Sequence, residues 1–253
     1  MTSEGIGLPP LVAHRGNAAE FPENTLESLQ SAVELGLRHV EFDVQLTTDQ
    51  VPVVFHDSDL ERVAGRPGCV HDLTWRELAS VAVGEAARFG TKFRRVCMPT
   101  LAQVTELLPS WQGVTAFVEI KRASLRRFGH EATLKRIAAD VHVARDQCVY
   151  ISFDLSSVRL LRAMTGNRIG WVIERYDEET ERLAREAAPE FLFSNLLRVP
   201  TSVTHLWDGP WQWAVYEVRD IDTARACRRL GAALVETMNV RSMLEAYALA
   251  EGA

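Results

Sequence analysis

Three carboxylates and two histidines are the residues of this chain whose types and spacing could do chemistry. In Val40-Glu41-Phe42-Asp43-Val44, apolar and acidic residues alternate. Successive side chains of a strand point to opposite faces, so Glu41 and Asp43 share one face, with Val40, Phe42 and Val44 on the other. The same parity in Phe117-Val118-Glu119-Ile120-Lys121 puts Glu119 and Lys121 together, with Val118 and Ile120 opposite. If the apolar faces pack against helices, the carboxylates turn inward, where two of them about 7 Å apart along a strand are desolvated and repel each other. Ion pairing would explain one such strand. Two carboxylate-bearing strands favour a bound cation. Three carboxylates and no cysteine form a hard oxygen donor set, suited to Ca2+ or Mg2+, with Mn2+ as a further option.

His14 ends a short apolar run and is followed by Arg15 and Gly16, while His56 ends Val51-Pro52-Val53-Val54-Phe55 and is followed by Asp57. A tight turn around Thr48-Asp49-Gln50 would fold the second run back antiparallel along the Glu41 strand. With Asp49-Gln50 at the turn centre, His56 falls opposite Asp43, at a cross-strand distance of about 5 Å. A bulge in the turn would shift that register.

These residues need a scaffold that turns strand ends toward one another. Strand-like runs occur at 11–13, 39–45, 116–121, 148–153, 168–174, 191–195, 212–218 and 233–237, each followed by an amphipathic stretch. The first helix, 24–35, is expected to start at Asn24 as N-cap with Glu27 three residues on, and to stop at Gly36. Eight such units predict one (β/α)8 TIM barrel over residues 1–253. A six-stranded doubly wound sheet competes, but Ala13-His14-Arg15-Gly16 stands where a GxGxxG turn would be needed. Residues 46–100 break the rhythm, with only weak helical signals such as Leu73 to Val83. This segment is expected to form an insertion after the second strand, above the barrel mouth where loops build active sites.

The remaining composition narrows the partners. Net charge is −6 and the pI about 5.7, so the overall field repels polyanions and nucleic acid is not an expected partner. Cys69, Cys97, Cys148 and Cys227 include no CxxC pair and are expected to be reduced and mostly buried. No leader-like N-terminus and no apolar stretch of membrane-spanning length occurs, which predicts a cytoplasmic chain without stable membrane insertion. Trp207, Trp211 and Trp213 are expected to pack helices onto the barrel.

Taken in order, HRG at 14–16, PENT at 22–25, EFDVQLTTD at 41–49, VPVVFHD at 51–57 and VEIK at 118–121 resemble the glycerophosphodiester phosphodiesterase family. Weaker likeness continues through Pro99-Thr100-Leu101 and Ile151-Ser152-Phe153-Asp154. The resemblance implies His14 and His56 as catalytic acid and base, Glu41, Asp43 and Glu119 as metal ligands, and Arg15 and Lys121 as phosphate contacts. It also implies metal-dependent hydrolysis of a small glycerophosphodiester to an alcohol and glycerol 3-phosphate. Which histidine is the base, and whether water or the glycerol 2-hydroxyl attacks, stay open. The chain departs from the family pattern at Gln50, at Tyr216-Glu217-Val218-Arg219-Asp220 and at Glu236-Thr237-Met238. Competing readings are lysophospholipase D or phospholipase C type cleavage of a lipid phosphodiester, and a non-catalytic phosphodiester-binding barrel. The inserted segment interleaves its apolar residues with charges such as Asp59, Arg62, Arg76 and Arg88, which favours a small water-soluble substrate.

Overall fold

Face alternation along each strand decides the architecture of the chain, a computed structural model of which describes residues 7–252. The strands are β1 Leu11–His14, β2 His39–Leu46, β3 Pro52–Val54, β4 Thr115–Ile120, β5 Cys148–Ser152, β6 Ile169–Val172, β7 Phe191–Asn195, β8 Gln212–Tyr216 and β9 Leu234–Thr237. All but β3 pair in parallel, and β1 bonds both β2 and β9, so eight strands close into a barrel. The expected (β/α)8 barrel is the fold, and all eight sequence-derived strands lie on it. The leaderless reading of the N-terminus falls partly on residues 1–6, outside the described residues. Among the described residues no helix is long and apolar enough to cross a membrane.

Two apolar sets alternate along the strands. Val40, Phe42, Val44, Val118 and Ile120 belong to the large cluster beneath the surrounding helices. Val12, Phe117, Val149, Ile151, Val172 and Phe193 form a second cluster inside the barrel, where Phe117 meets Phe191 and Phe193 edge-on at 5.0 and 5.1 Å. This inner plug makes the barrel a packed core rather than a pore. Trp211 and Trp213 are buried in the outer cluster and both donate to the carbonyl of Trp207, which stacks on Tyr176, as a packing role requires.

Helix α1, Leu26–Glu34, begins one residue later than expected: Thr25 is the N-cap and closes a capping box with Ser28, not Asn24 with Glu27. Asn24 is left-handed, with φ of 58°, and its side chain is used elsewhere. The inserted segment carries β3 and three one-turn helices, α2 Glu61–Ala64, α3 Trp75–Leu78 and α4 Ala86–Phe89, before α5, Leu101–Leu107. The helical signal from Leu73 to Val83 reduces to α3. Val53, Phe55, Leu60, Val63, Val70, Leu78, Val81, Val83 and Met98 give this segment a small core of its own. Cys148 and Cys227 are buried, whereas Cys97 is exposed, against expectation.

The β2–β3 hairpin also differs from its expected register. Val44 pairs with Val54 and Gln45 with Val53, so Asp43 meets Phe55, whose N–H bonds its carbonyl at 2.9 Å, and not His56. Thr47 N–H bonds the Val51 carbonyl and Gln50 sits at φ 60°, a three-residue loop with its last residue left-handed. That extra loop residue is the source of the one-place shift. The ladder ends at Val54, freeing the chain at His56 to turn toward the barrel mouth.

Candidate active site

The barrel mouth gathers all seven sequence-predicted residues. His14, Arg15, His56, Glu119 and Lys121 line one cavity of about 160 Å³, together with Tyr216, Glu217, Glu236 and the apolar Ile151, Phe153, Val172 and Phe193. Glu41 and Asp43 lie buried beneath it, each 1% exposed. A second cavity of about 500 Å³ shares His14, Arg15 and Glu217 and runs on past Arg88 and Arg219.

The turn after β1 fixes Arg15 by backbone geometry. Arg15 and Gly16 are both left-handed, and a Cβ on Gly16 would lie 2.5 Å from the Ser28 carbonyl carbon, so only glycine lets α1 approach this closely. Ser28 Oγ donates to the Arg15 carbonyl, and Arg15 N–H donates to Glu41 Oε2 at 3.1 Å. The Arg15 guanidinium pairs with Asp43 at 3.2 Å and with Glu23 at 2.9 Å.

Parity places the carboxylates as expected, and Asp43 and Glu119 are register partners on β2 and β4. Ligand oxygens of Glu41, Asp43 and Glu119 lie within 4.8 Å of one another, a separation that one oxygen-bound cation spans. Glu41 Oε1 is buried without a hydrogen-bond partner, a position that a cation would satisfy. The residues present therefore fit a divalent ion. Lys121 Nζ bonds Asp43 Oδ1 at 3.1 Å and Glu119 Oε1 at 2.7 Å.

The electrostatics follow from this arrangement. Burial opposes ionisation of Asp43, yet Lys121 and Arg15 beside it hold its carboxyl well below the usual range. Burial, then the neighbouring Asp43 and Glu236, push Glu41 well above its ordinary value. Burial, followed by the adjacent Arg15 charge, lowers the His14 imidazole to about 3, leaving it neutral near pH 7. His56 Nδ1 lies 2.5 Å from Asp57 Oδ1, and with the carboxylate as acceptor its Nε2 is left for a ligand.

Sequence reasoning missed four contributors. Asn24 donates from Nδ2 to Asp43 Oδ2 at 2.8 Å and accepts the Asp43 N–H at Oδ1. Glu23 bonds both Arg15 and Arg62, and Arg62 in turn bonds Asp57, a chain that ends on His56. Glu236 stands on β9, buried beside His14 and Glu41. The signal for Glu236 was available: Val235 packs outward, so the next residue must face inward.

Residues 14–237 match the model of the glycerophosphoryl diester phosphodiesterase family. A glycerophosphodiester phosphodiesterase of Caldanaerobacter subterraneus subsp. tengcongensis is 33% identical over 154 residues, covering 61% of this chain and 62% of that protein. Glycerophosphodiester phosphodiesterase 1 of Rattus norvegicus is 34% identical over 217 residues, covering 83% of this chain and 57% of the relative. The matched part thus spans less than two thirds of the length of either relative. A phosphodiesterase of Oleispira antarctica, solved in complex with the product sn-glycerol-3-phosphate, has a TM-score of 0.79 at 21% identity, covering 94% of this chain and 96% of that one.

Proposed function

The chain belongs to the glycerophosphoryl diester phosphodiesterase family, and on that premise we propose that it hydrolyses glycerophosphodiesters to an alcohol and glycerol 3-phosphate. The observation that carries the reading is one mouth in which two histidines, two cationic side chains and three clustered carboxylates converge. A divalent cation at Glu41, Asp43 and Glu119, Ca2+ or Mg2+ with Mn2+ as a further fit, would polarise the phosphoryl oxygens and offset their charge.

Arg15 and Lys121 hold the carboxylates in place and turn positive charge toward the nonbridging oxygens, where negative charge grows as the new P–O bond forms. Neutral His14 takes the proton of the attacking oxygen, whether of water or of the glycerol 2-hydroxyl. His56, braced at Nδ1 by Asp57, gives a proton from Nε2 to the departing alcohol. The larger adjoining cavity has room for the leaving alcohol. The sn-glycerol-3-phosphate product held by the Oleispira phosphodiesterase supports a small-molecule substrate. Among the described residues of the inserted segment, none is a large exposed hydrophobic of the kind that lipid extraction needs.

His14→Ala and His56→Ala are expected to lower kcat by at least about 10²-fold with the fold intact, the scale of a lost general acid or base. Near-normal turnover by either variant would remove that histidine from the mechanism.

A further inference from the structure

Glu236 is not used by the mechanism above, yet it is a buried carboxylate, 3% exposed, in the wall of the reaction cavity. One ligand atom each from His14, Glu41 and Glu236 lie within 4.8 Å of one another. His14 Nε2 is 3.9 Å from Glu41 Oε2. Glu236 Oε1 and Glu41 Oε1 are both buried without a hydrogen-bond partner. Lys121 reaches Asp43 and Glu119, and Arg15 reaches Asp43 and Glu23, so the inward cations serve the other carboxylates. An ionised carboxylate left in this state carries a large desolvation penalty that a bound cation removes.

We propose that His14, Glu41 and Glu236 form a second cation site, sharing Glu41 with the Glu41–Asp43–Glu119 cluster, that takes a transition ion such as Zn2+ and thereby withdraws His14 from proton transfer. The donor set differs in kind from its neighbour. One imidazole nitrogen with two carboxylate oxygens suits Zn2+, whereas three carboxylates suit a hard ion. Zn2+ holds its ligands at about 2.0–2.2 Å, which sets ligand-to-ligand separations of roughly 3.4 Å in a tetrahedral site. The His14 to Glu41 distance of 3.9 Å is within about half an ångström of that value, so a small side-chain adjustment closes that edge, and the 4.8 Å span bounds the two edges to Glu236. A nitrogen lone pair bound to the ion cannot accept a proton, so the same ion that fits the site stops turnover. The inhibitory consequence rests on the role proposed for His14; the binding does not.

The test titrates Zn2+ calorimetrically into the folded protein in excess Mg2+, comparing the unaltered chain with Glu236→Gln, His14→Gln and Asp43→Asn. Zn2+ affinity is expected to fall at least about tenfold in Glu236→Gln and His14→Gln, the loss that follows removal of a ligand contact, and to persist in Asp43→Asn. Zn2+ should inhibit Mg2+-supported turnover of the unaltered chain, and in Glu236→Gln the Zn2+ concentration for half-inhibition, referred to that variant's own Zn2+-free rate, should rise at least about tenfold. Equal Zn2+ affinity in the unaltered chain and Glu236→Gln, or loss of Zn2+ binding in Asp43→Asn alone, overturns the proposal. Should the protein prove inactive on glycerophosphodiesters, the calorimetric comparison still decides the site.

Discussion

Asn24 grips Asp43 from two sides, its amide nitrogen donating to Oδ2 at 2.8 Å and its amide oxygen accepting the Asp43 N–H at 3.0 Å. The pair fixes a carboxylate that also faces Arg15 and Lys121, so Asp43 has no freedom to rotate away from a bound cation. Asn24→Ala removes both bonds and places a Cβ-bearing residue without local hydrogen bonding at φ 58°. The expected result is about 2 kcal/mol of lost stability and at least about tenfold weaker cation binding. Urea unfolding and calorimetric titration of Ca2+ or Mg2+ check the two effects. Cation affinity unchanged by the substitution would mean that Asp43 needs no such support.

Glu23 joins the two halves of the site through Arg15 on one side and Arg62, Asp57 and His56 on the other. Glu23→Gln leaves Arg15 dependent on Asp43 alone and weakens the brace on Asp57. Arg62 is nearly half exposed, so solvent screens its part of the loss and the stability change is expected at roughly 2–3 kcal/mol. As a positioning residue, Glu23 should affect kcat more than KM, by about tenfold or more. A change confined to stability would assign it a purely structural role.

The barrel and its inward carboxylates were legible because both depend on alternation, a property of each strand taken alone. Glu41, Asp43 and Glu119 face inward for the same reason that Phe42, Val118 and Ile120 face outward. The β2–β3 register was not legible, because it turns on the backbone of one residue. Gln50 adopts the left-handed conformation that usually marks glycine, and so lengthens the loop by one place. Asn24 was read as a helix cap because its side chain suits that role. Its actual partner, Asp43, lies 19 residues away and is set only by the closed barrel. The chain from Glu23 to His56 likewise joins the loop before α1 to the inserted segment, which no local pattern connects.

The buried carboxylates also predict how stability depends on pH. Burial, then Glu119 and Asp43, raise the Glu236 carboxyl well above its ordinary value of 4.5. A carboxyl with a raised folded-state value is protonated in the folded chain where the unfolded chain has already ionised. Its presence therefore lowers stability as pH rises from about 4.5 through the folded-state value. His14 has the opposite sign, since its lowered value makes stability fall as pH drops from about 6.5 toward 3. Comparing Glu236→Gln with the unaltered chain cancels the histidine. In the presence of chelator, the variant should gain stability relative to the unaltered chain as pH rises from 4.5 toward neutrality, measured by urea unfolding at each pH. A difference that stays flat across this window would mean that Glu236 is not the strained carboxyl described here.

The central claim, cation-dependent cleavage of a glycerophosphodiester by this mouth, is tested most directly by following glycerophosphocholine with 31P NMR. The unaltered chain is compared in excess Ca2+ or Mg2+ and in chelator. The diester resonance should give way to that of glycerol 3-phosphate when the cation is present, and persist when it is removed. A diester signal that survives with both cations, or that decays equally fast in chelator, would contradict the account.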